Sequence, residues 1–388
     1  MLRSVTYRRY KSLEDTEVRL GAVNLLIGAN AAGKSNAIDA LRLLSEAVRS
    51  DMETAVSRRG GIHRVVFRSA KERSFALGLD YFVLDPSAPN SKSDMRYNLR
   101  VDEHEGRPTV AAEELRIKVK RNEPGKARVW FKAARGRGKA LKNLESLAQE
   151  PFDTADPGVL ALKALGFLTA YPRIKALRSF IENWQFLAVN LEAIRAPSRD
   201  ERTTRLEVDA SNLANVLRTL RGTDTLQAIL RDLHDLLEFV EGVETDVERG
   251  VVSILLQESP FSDPTEALSA SDGTLRLLAL VTALHLMPEH GLLCVEEPEH
   301  GVHPLVFGPL LDLLRERCPE GGTRQVMLTT HSPDLLDVAA PEEVIVVERL
   351  PDGSTQLRRP NPKKLGEWLQ DFRLGELWKM RQFGGVPQ

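Results

Sequence analysis

Gly28-Ala29-Asn30-Ala31-Ala32-Gly33-Lys34-Ser35 is the stretch on which the reading of this chain turns. It has the form G-x-x-x-x-G-K-[ST]. The apolar residues before it (Val23, Leu25, Leu26, Ile27) predict a strand, and Ala37, Ile38, Leu41, Leu44, Ala47 and Val48 after it predict a helix from Lys34 to about Val48. In a strand–loop–helix of this kind the glycines let backbone N–H groups turn inward around an anion. Lys34 adds a point charge for β- and γ-phosphates, and the Ser35 hydroxyl reaches Mg²⁺. Asn30, Gly33, Lys34, Ser35 and Asn36 are therefore the candidate nucleotide contacts, with Ser35 also a candidate metal ligand.

The chain has 388 residues, enough to bury a large core and to form two lobes. Charged residues make up 28% and nearly balance at a net charge of −2, so bulk charge selects neither an acidic nor a basic partner. Cys294 and Cys318 have no ligand spacing and form no disulfide framework, which predicts a reduced, cytoplasmic protein. No signal-peptide pattern opens the sequence. The most apolar segment, from Leu275 to Met287, is interrupted by Arg276, Thr282 and His285 and is too short to span a bilayer, so no membrane partner is expected.

A strand pair is expected from Leu2 to Leu20. Between Val65 and Ala133 the pattern changes to period two, which predicts antiparallel strands around 73–81, 97–101, 115–120 and 128–131. From about Leu141 to Val240 the pattern is helical, broken near 151–157 and 196–205, and Val247 to Gln257 reads as a strand. Prolines and the absence of sustained heptads make the helical stretch a compact lobe and not a coiled coil. The expected fold is α/β: a P-loop ATPase head whose two parts, 1–140 with an antiparallel β subdomain and 241–388, flank a helical insertion at 141–240.

Three further segments complete a nucleotide site. Leu292-Leu293-Cys294-Val295 is a buried-strand pattern that delivers Glu296 and Glu297 at its C-terminal end, where the first carboxylate would hold Mg²⁺ and the second would polarise an attacking water. Val326-Met327-Leu328-Thr329-Thr330 is another such strand, followed by His331, whose imidazole can contact a γ-phosphate or that water. Ser271-Asp272-Gly273-Thr274 opens the apolar helix. Ser271 and Gly273 there suit either an ordinary N-cap or an anion site.

In this order the segments resemble the ABC-type ATPase heads of the RecF/SMC/OLD-like group, in its stand-alone form without a Toprim nuclease domain. Asp209 to Leu217 and Leu374-Gly375-Glu376-Leu377-Trp378 are similar to segments of RecF-like ATPases. The resemblance implies ATP and Mg²⁺ as cofactors, hydrolysis assisted by Glu297 and His331, and an ATP-sandwich homodimer. In that dimer Ser271 and Gly273 act on the nucleotide of a second copy, and residues 299–303 form the D-loop that lies between the two copies. The chain departs from the common pattern in three ways: Glu stands at 296 where many relatives have Asp, the signature reads Ser-Asp-Gly-Thr, and no glutamine precedes Gln149. His63 is a candidate for the missing glutamine's place.

From Arg107 to Lys142 there are twelve Lys/Arg against three acidic residues, a pattern that fits either DNA phosphates or a solvated strand face. His300 and His303 lack a third metal ligand. Too few residues follow His331 for a fused Toprim nuclease, which needs on the order of 100. The expected function is an ATP-hydrolysing switch in DNA maintenance or anti-phage defence. The alternatives are an ATP-locked clamp that recruits a separate effector such as a nuclease, and a transporter ATPase, against which the insertion and the missing glutamine weigh.

Overall fold

The computed structural model describes residues 1–85, 88–118, 127–142, 148–361, 365–366 and 368–384. It opens with β1 (Leu2–Tyr10), β2 (Leu13–Arg19), β3 (Val23–Ile27), α1 (Lys34–Arg49), α2 (Met52–Ser57) and α3 (Ile62–Val65). A run of strands follows: β4 (Ser74–Asp85), β5 (Ala88–His104), β6 (Arg107–Lys118), β7 (Arg128–Ala134), β8 (Arg137–Ala140) and β9 (Glu150–Asp153). Next come α4 (Ala161–Gly166), α5 (Pro172–Glu182), β10 (Gln185–Leu187), α6 (Leu191–Arg195), β11 (Ser198–Arg199), α7 (Leu213–Thr219) and α8 (Asp224–Leu236). Then β12 (Val240–Glu248), β13 (Val251–Glu258), β14 (Thr265–Glu266), α9 (Asp272–His285), β15 (Leu292–Glu296) and α10 (Phe307–Arg317) lead into the last part. That part holds β16 (Gln325–Thr330), α11 (Pro333–Asp337), β17 (Val344–Arg349), β18 (Thr355–Arg358) and α12 (Leu374–Lys379).

The described strands form three sheets. The antiparallel subdomain is one eight-stranded sheet in the order β2-β1-β4-β5-β6-β7-β8-β9. The second sheet, β10-β15-β16-β3-β17-β18, is parallel except for β18 at its edge. The third joins β11, β13 and β12, with β14 against β13.

The parallel sheet is buried on both faces, which is why its strands read as mainly apolar runs without a period-two alternation. In β15, Leu292 and Cys294 enter one core while Leu293 and Val295 enter the other. The first core lies between this sheet, α1 and the antiparallel sheet. The second contains α8, α9, α10 and the third sheet. The helices of 141–240 divide between them: α4 and α5 pack in the first core, α7 and α8 in the second. Three stretches read as helical or as breaks are strands. β9 and β11 fall at the two breaks, and β10 lies parallel to β15 as the edge of the nucleotide sheet. The segment expected as one strand from 247 to 257 is a hairpin, β12–β13, turning at Arg249 (φ 51°) and Gly250 (φ 80°). Val119 and Lys120, expected to extend the third of the period-two strands, lie outside the described residues. No described helix is long and apolar enough to cross a membrane.

One carboxylate ties the two N-terminal layers together. Glu113 on β6 is buried and accepts hydrogen bonds from Tyr97 Oη (2.9 Å) and from the N–H groups of Ala161 (2.6 Å) and Leu162 (2.8 Å) at the start of α4. Burial pushes its pKa from 4.5 up to about 7, against the pull of these three donors. Between those values the unfolded chain has lost the proton and the folded chain has kept it, so this group's contribution to stability falls as pH rises from about 4.5 to 7. Glu113→Gln abolishes that term. The variant's stability relative to wild type, from urea melts, is expected to improve between pH 5 and pH 8; a constant difference counts against a protonated Glu113.

Candidate functional site

The C-terminal ends of the parallel strands line one edge of the sheet, the usual place for a ligand in such a fold. Ile27 ends β3, Glu296 ends β15 and Thr330 ends β16, with Ile27 opposite Thr330 and Glu296 opposite Thr329. Residues 28–35 leave this edge as a loop and enter α1. A Cβ on Gly28 would lie 2.2 Å from the Val347 carbonyl oxygen. At Gly33 (φ +111°) it would lie 2.3 Å from Thr355 Oγ1. Thr355 in turn donates to the Ala32 carbonyl (2.7 Å) and bonds Ser12 Oγ (2.7 Å). The loop is thus clamped by β17, β18 and the β1–β2 turn. Gly28→Ala is expected to destabilise the protein by about 1–3 kcal/mol in denaturant melts, because backbone must move to admit one methyl group.

Inside the loop, Lys34 is buried and its Nζ donates to the carbonyls of Gly28 (2.7 Å) and Ala29 (3.1 Å). It also lies 2.8 Å from His331 Nε2. Burial draws the Lys34 pKa down to about 8, while Glu297 and Glu299 favour its charge. Burial, followed by the Lys34 charge, lowers the His331 pKa too, against Glu297 and Glu299. His331 Nε2 is shared: it lies 3.2 Å from Glu297 Oε1 as well. The other Glu297 oxygen is 3.1 Å from His300 Nε2. The Glu297 backbone is left-handed (φ 49°), and its N–H meets the Thr329 carbonyl (3.1 Å) and Oγ1 (3.3 Å).

Ser35 Oγ donates to Glu296 Oε2 at 2.9 Å. A hydroxyl and a carboxylate at a helix N-terminus suit Mg²⁺, which takes most of its six ligands from water and phosphate. No group of three His, Cys, Asp or Glu able to hold a metal unaided occurs among the described residues.

Two further residues expected as nucleotide contacts, Asn36 and Asn30, lie on the same loop and first helical turn. Asn36 donates one amide N–H to Ser12 Oγ (2.8 Å), bracing the loop. Asn30 is exposed on the loop. His63 is exposed on α3, with no hydrogen bond to residues 28–36 among the described residues, so nothing in its contacts supports it in the glutamine's place.

Ser271 caps α9, accepting from the Thr274 N–H (3.1 Å), with Thr274 Oγ1 at 2.7 Å. Neither it nor Gly273 hydrogen-bonds to residues 28–36 among the described residues. Gly273 instead permits close packing on the loop after Glu297: a Cβ there would lie 2.5 Å from the Gly301 carbonyl oxygen. Arg195 on α6 holds this junction from outside through the Ala270 carbonyl (2.9 Å) and Asp272 Oδ1 (2.6 Å). Sequence reasoning passed over Arg195, since a lone arginine 75 residues from its partner leaves no local signal. Glu299, expected only as part of a loop, is buried. Its Oε1 accepts from Thr330 Oγ1 (2.7 Å) and the His331 N–H (2.8 Å), fixing the strand end that presents the histidine.

The basic stretch carries acidic partners: Arg116 pairs with Glu114, Arg135 with Asp102, Arg137 with Asp153 and Lys142 with Glu150. Lys120, Arg121 and Lys126 lie outside the described residues. Asp102, Asp153 and Glu150 lie outside the stretch, so these pairs offset three of its nine excess positive charges, as on a solvated strand face.

The family model described as "AAA domain, putative AbiEii toxin, Type IV TA system" matches residues 23–337. The sequence matches no curated protein. Among solved structures, the fold is similar to an SMC head bound to the C-terminal winged-helix domain of ScpA (TM-score 0.57, 14% identity, covering 94% of this chain and 99% of that one). It is also similar to an Smc head with an extended coiled coil, bound to the C-terminal domain of ScpA derived from Pyrococcus furiosus (TM-score 0.52, 12% identity, covering 95% and 98%). At such identities the likeness concerns the fold, which is that of an ABC-type ATPase head.

Proposed function

Because the chain belongs to this AAA-domain family, we propose that it is an ATP-hydrolysing switch that pairs with a second copy of itself through ATP. The observation that carries this reading is the convergence of Lys34, Ser35, Glu296, Glu297 and His331 at one sheet edge, linked by contacts of 2.8–3.2 Å. Bound Mg²⁺ supplies charge neutralisation on the phosphates, and Ser35 and Glu296 are the residues to hold it. Lys34 leaves the Gly28 and Ala29 carbonyls to meet the β- and γ-phosphates. Glu297 takes a proton from the water that attacks the γ-phosphorus as the bond to the β–γ bridging oxygen breaks and ADP leaves. His331 steadies the Glu297 carboxylate and the terminal phosphate. Ser271 and Gly273, at a helix N-terminus with no hydrogen bond to their own P-loop among the described residues, act on the partner's nucleotide.

Defence against foreign DNA is the biological setting we favour over DNA maintenance, because the matching family is described as a putative toxin of a type IV toxin–antitoxin system. An ATP-locked clamp recruiting an effector remains the second reading, and one experiment separates them. Phosphate release and particle mass are followed with Mg-ATP while the protein concentration is varied. Turnover per chain that rises with concentration, as the mass doubles, is the expected result. Doubled mass with negligible turnover identifies the clamp. Turnover per chain independent of concentration removes the sandwich.

A further inference from the structure

At the junction between α9 and the loop after Glu297, two buried polar atoms have no hydrogen-bond partner among the described residues. Glu299 is 8% exposed, and while its Oε1 holds Thr330 and His331, its Oε2 has no hydrogen-bond partner among the described residues. Arg276 Nε is buried and likewise without a partner, and the arginine forms no ion pair among the described residues. Arg276 lies one turn beyond Gly273, on the helix face that packs against Gly301 and Val302. Burial lowers the pKa of its guanidinium, against the pull of Asp272, Glu299 and Glu297. Arg276 is half-buried with an unpartnered Nε, Glu299 is a half-satisfied buried carboxylate, and the two stand on segments that pack together at Gly273 and Gly301, so each is the other's natural partner.

We propose that Arg276 is a positioning residue: when the start of α9 engages a nucleotide, its guanidinium closes on the free oxygen of Glu299 and so fixes the His331 end of its own chain's site. The inference rests on the sandwich reading above. It adds a route by which the nucleotide of one copy acts on the other copy's site. The route runs from Ser271 and Gly273 through the first turns of α9 to Arg276, then Glu299, then the His331 N–H. Glu299 is the hinge of this route because it already holds both Thr330 and His331. The change it requires is local: a side-chain rotation, or a small slide of α9 over the glycine pair Gly273 and Gly301.

The test uses the Glu297→Gln protein, in which hydrolysis is slowed, and reads amide hydrogen exchange in the peptide containing Thr330 to Ser332. With Mg-ATP that peptide is expected to exchange about tenfold more slowly than without nucleotide. Adding Arg276→Gln is expected to leave the ATP-dependent doubling of mass intact and to abolish the slowing. Arg276→Lys, which keeps the charge with fewer donors, restores part of it. Should Arg276→Gln fail to fold, as judged by its thermal melt, the comparison is made with Arg276→Lys, for which unchanged protection overturns the inference. If the Glu297→Gln protein does not pair with ATP, the sandwich reading falls and the inference with it. If it pairs and the double variant protects His331 as well as its parent does, the inference alone is overturned.

Discussion

Glu297→Gln is expected to lower ATP turnover by about a hundredfold or more, the range over which a positioned general base acts. Glutamine keeps the size of the side chain and one carbonyl oxygen, so the contacts that shape the site survive. The left-handed backbone at 297 is held by the Thr329 carbonyl and hydroxyl and does not depend on the carboxylate. What disappears is the capacity to accept a proton between His331 and His300, each about 3 Å from one oxygen. ATP affinity should change little, because Lys34, Ser35 and the first turn of α1 are untouched. With binding preserved and hydrolysis slowed, the ATP-bound pair accumulates. Light scattering with Mg-ATP should therefore report a longer-lived doubled mass than in wild type. Turnover at the wild-type rate would falsify the assignment of Glu297.

The parts of this site that can be seen in the sequence are those in which a buried parallel strand runs straight into a chemical group. Strands β3, β15 and β16 are buried on both faces, so each appears as a mainly apolar run ending at the P-loop, at Glu296 and at His331. The antiparallel strands were legible for the opposite reason, since one face is buried and one is wet. Their ends were not: β5 runs from Ala88 to His104, far past the apolar alternation at 97–101, because pairing with β4 and β6 extends it through polar residues. Strand β10 is three residues long, below the length at which period two can be told from a helical turn. The β12–β13 turn hid in a continuous alternation, although a glycine at its second position suits two successive positive φ angles. The clamp on the P-loop was invisible in principle. Ser12 and Thr355 meet across 343 positions, and neither carries a motif.

The trans arrangement of Ser271 and Lys34 is open to a mixing experiment with a large expected signal. Ser271 is exposed at the start of α9, where its hydroxyl caps the helix, so Ser271→Arg costs about 1 kcal/mol of capping while placing bulk and positive charge where a partner's nucleotide would sit. Lys34→Ala removes the buried cation from the P-loop of its own chain. Each variant alone should lose at least about a hundredfold in turnover, since every composite site in its homodimer carries the defect. In a mixed dimer the two defects fall on the same site. The intact P-loop of the Ser271→Arg chain then meets the intact α9 of the Lys34→Ala chain. Random pairing puts half of the chains' dimers in this mixed form with one of two sites whole, so an equimolar mixture should recover turnover up to roughly a quarter of wild type. If α9 served the P-loop of its own chain, each polypeptide in the mixture would still carry one broken half, and the mixture would be as inactive as its parents. Recovery requires that a site be built from two copies, with residues 28–35 supplied by one and Ser271 and Gly273 by the other.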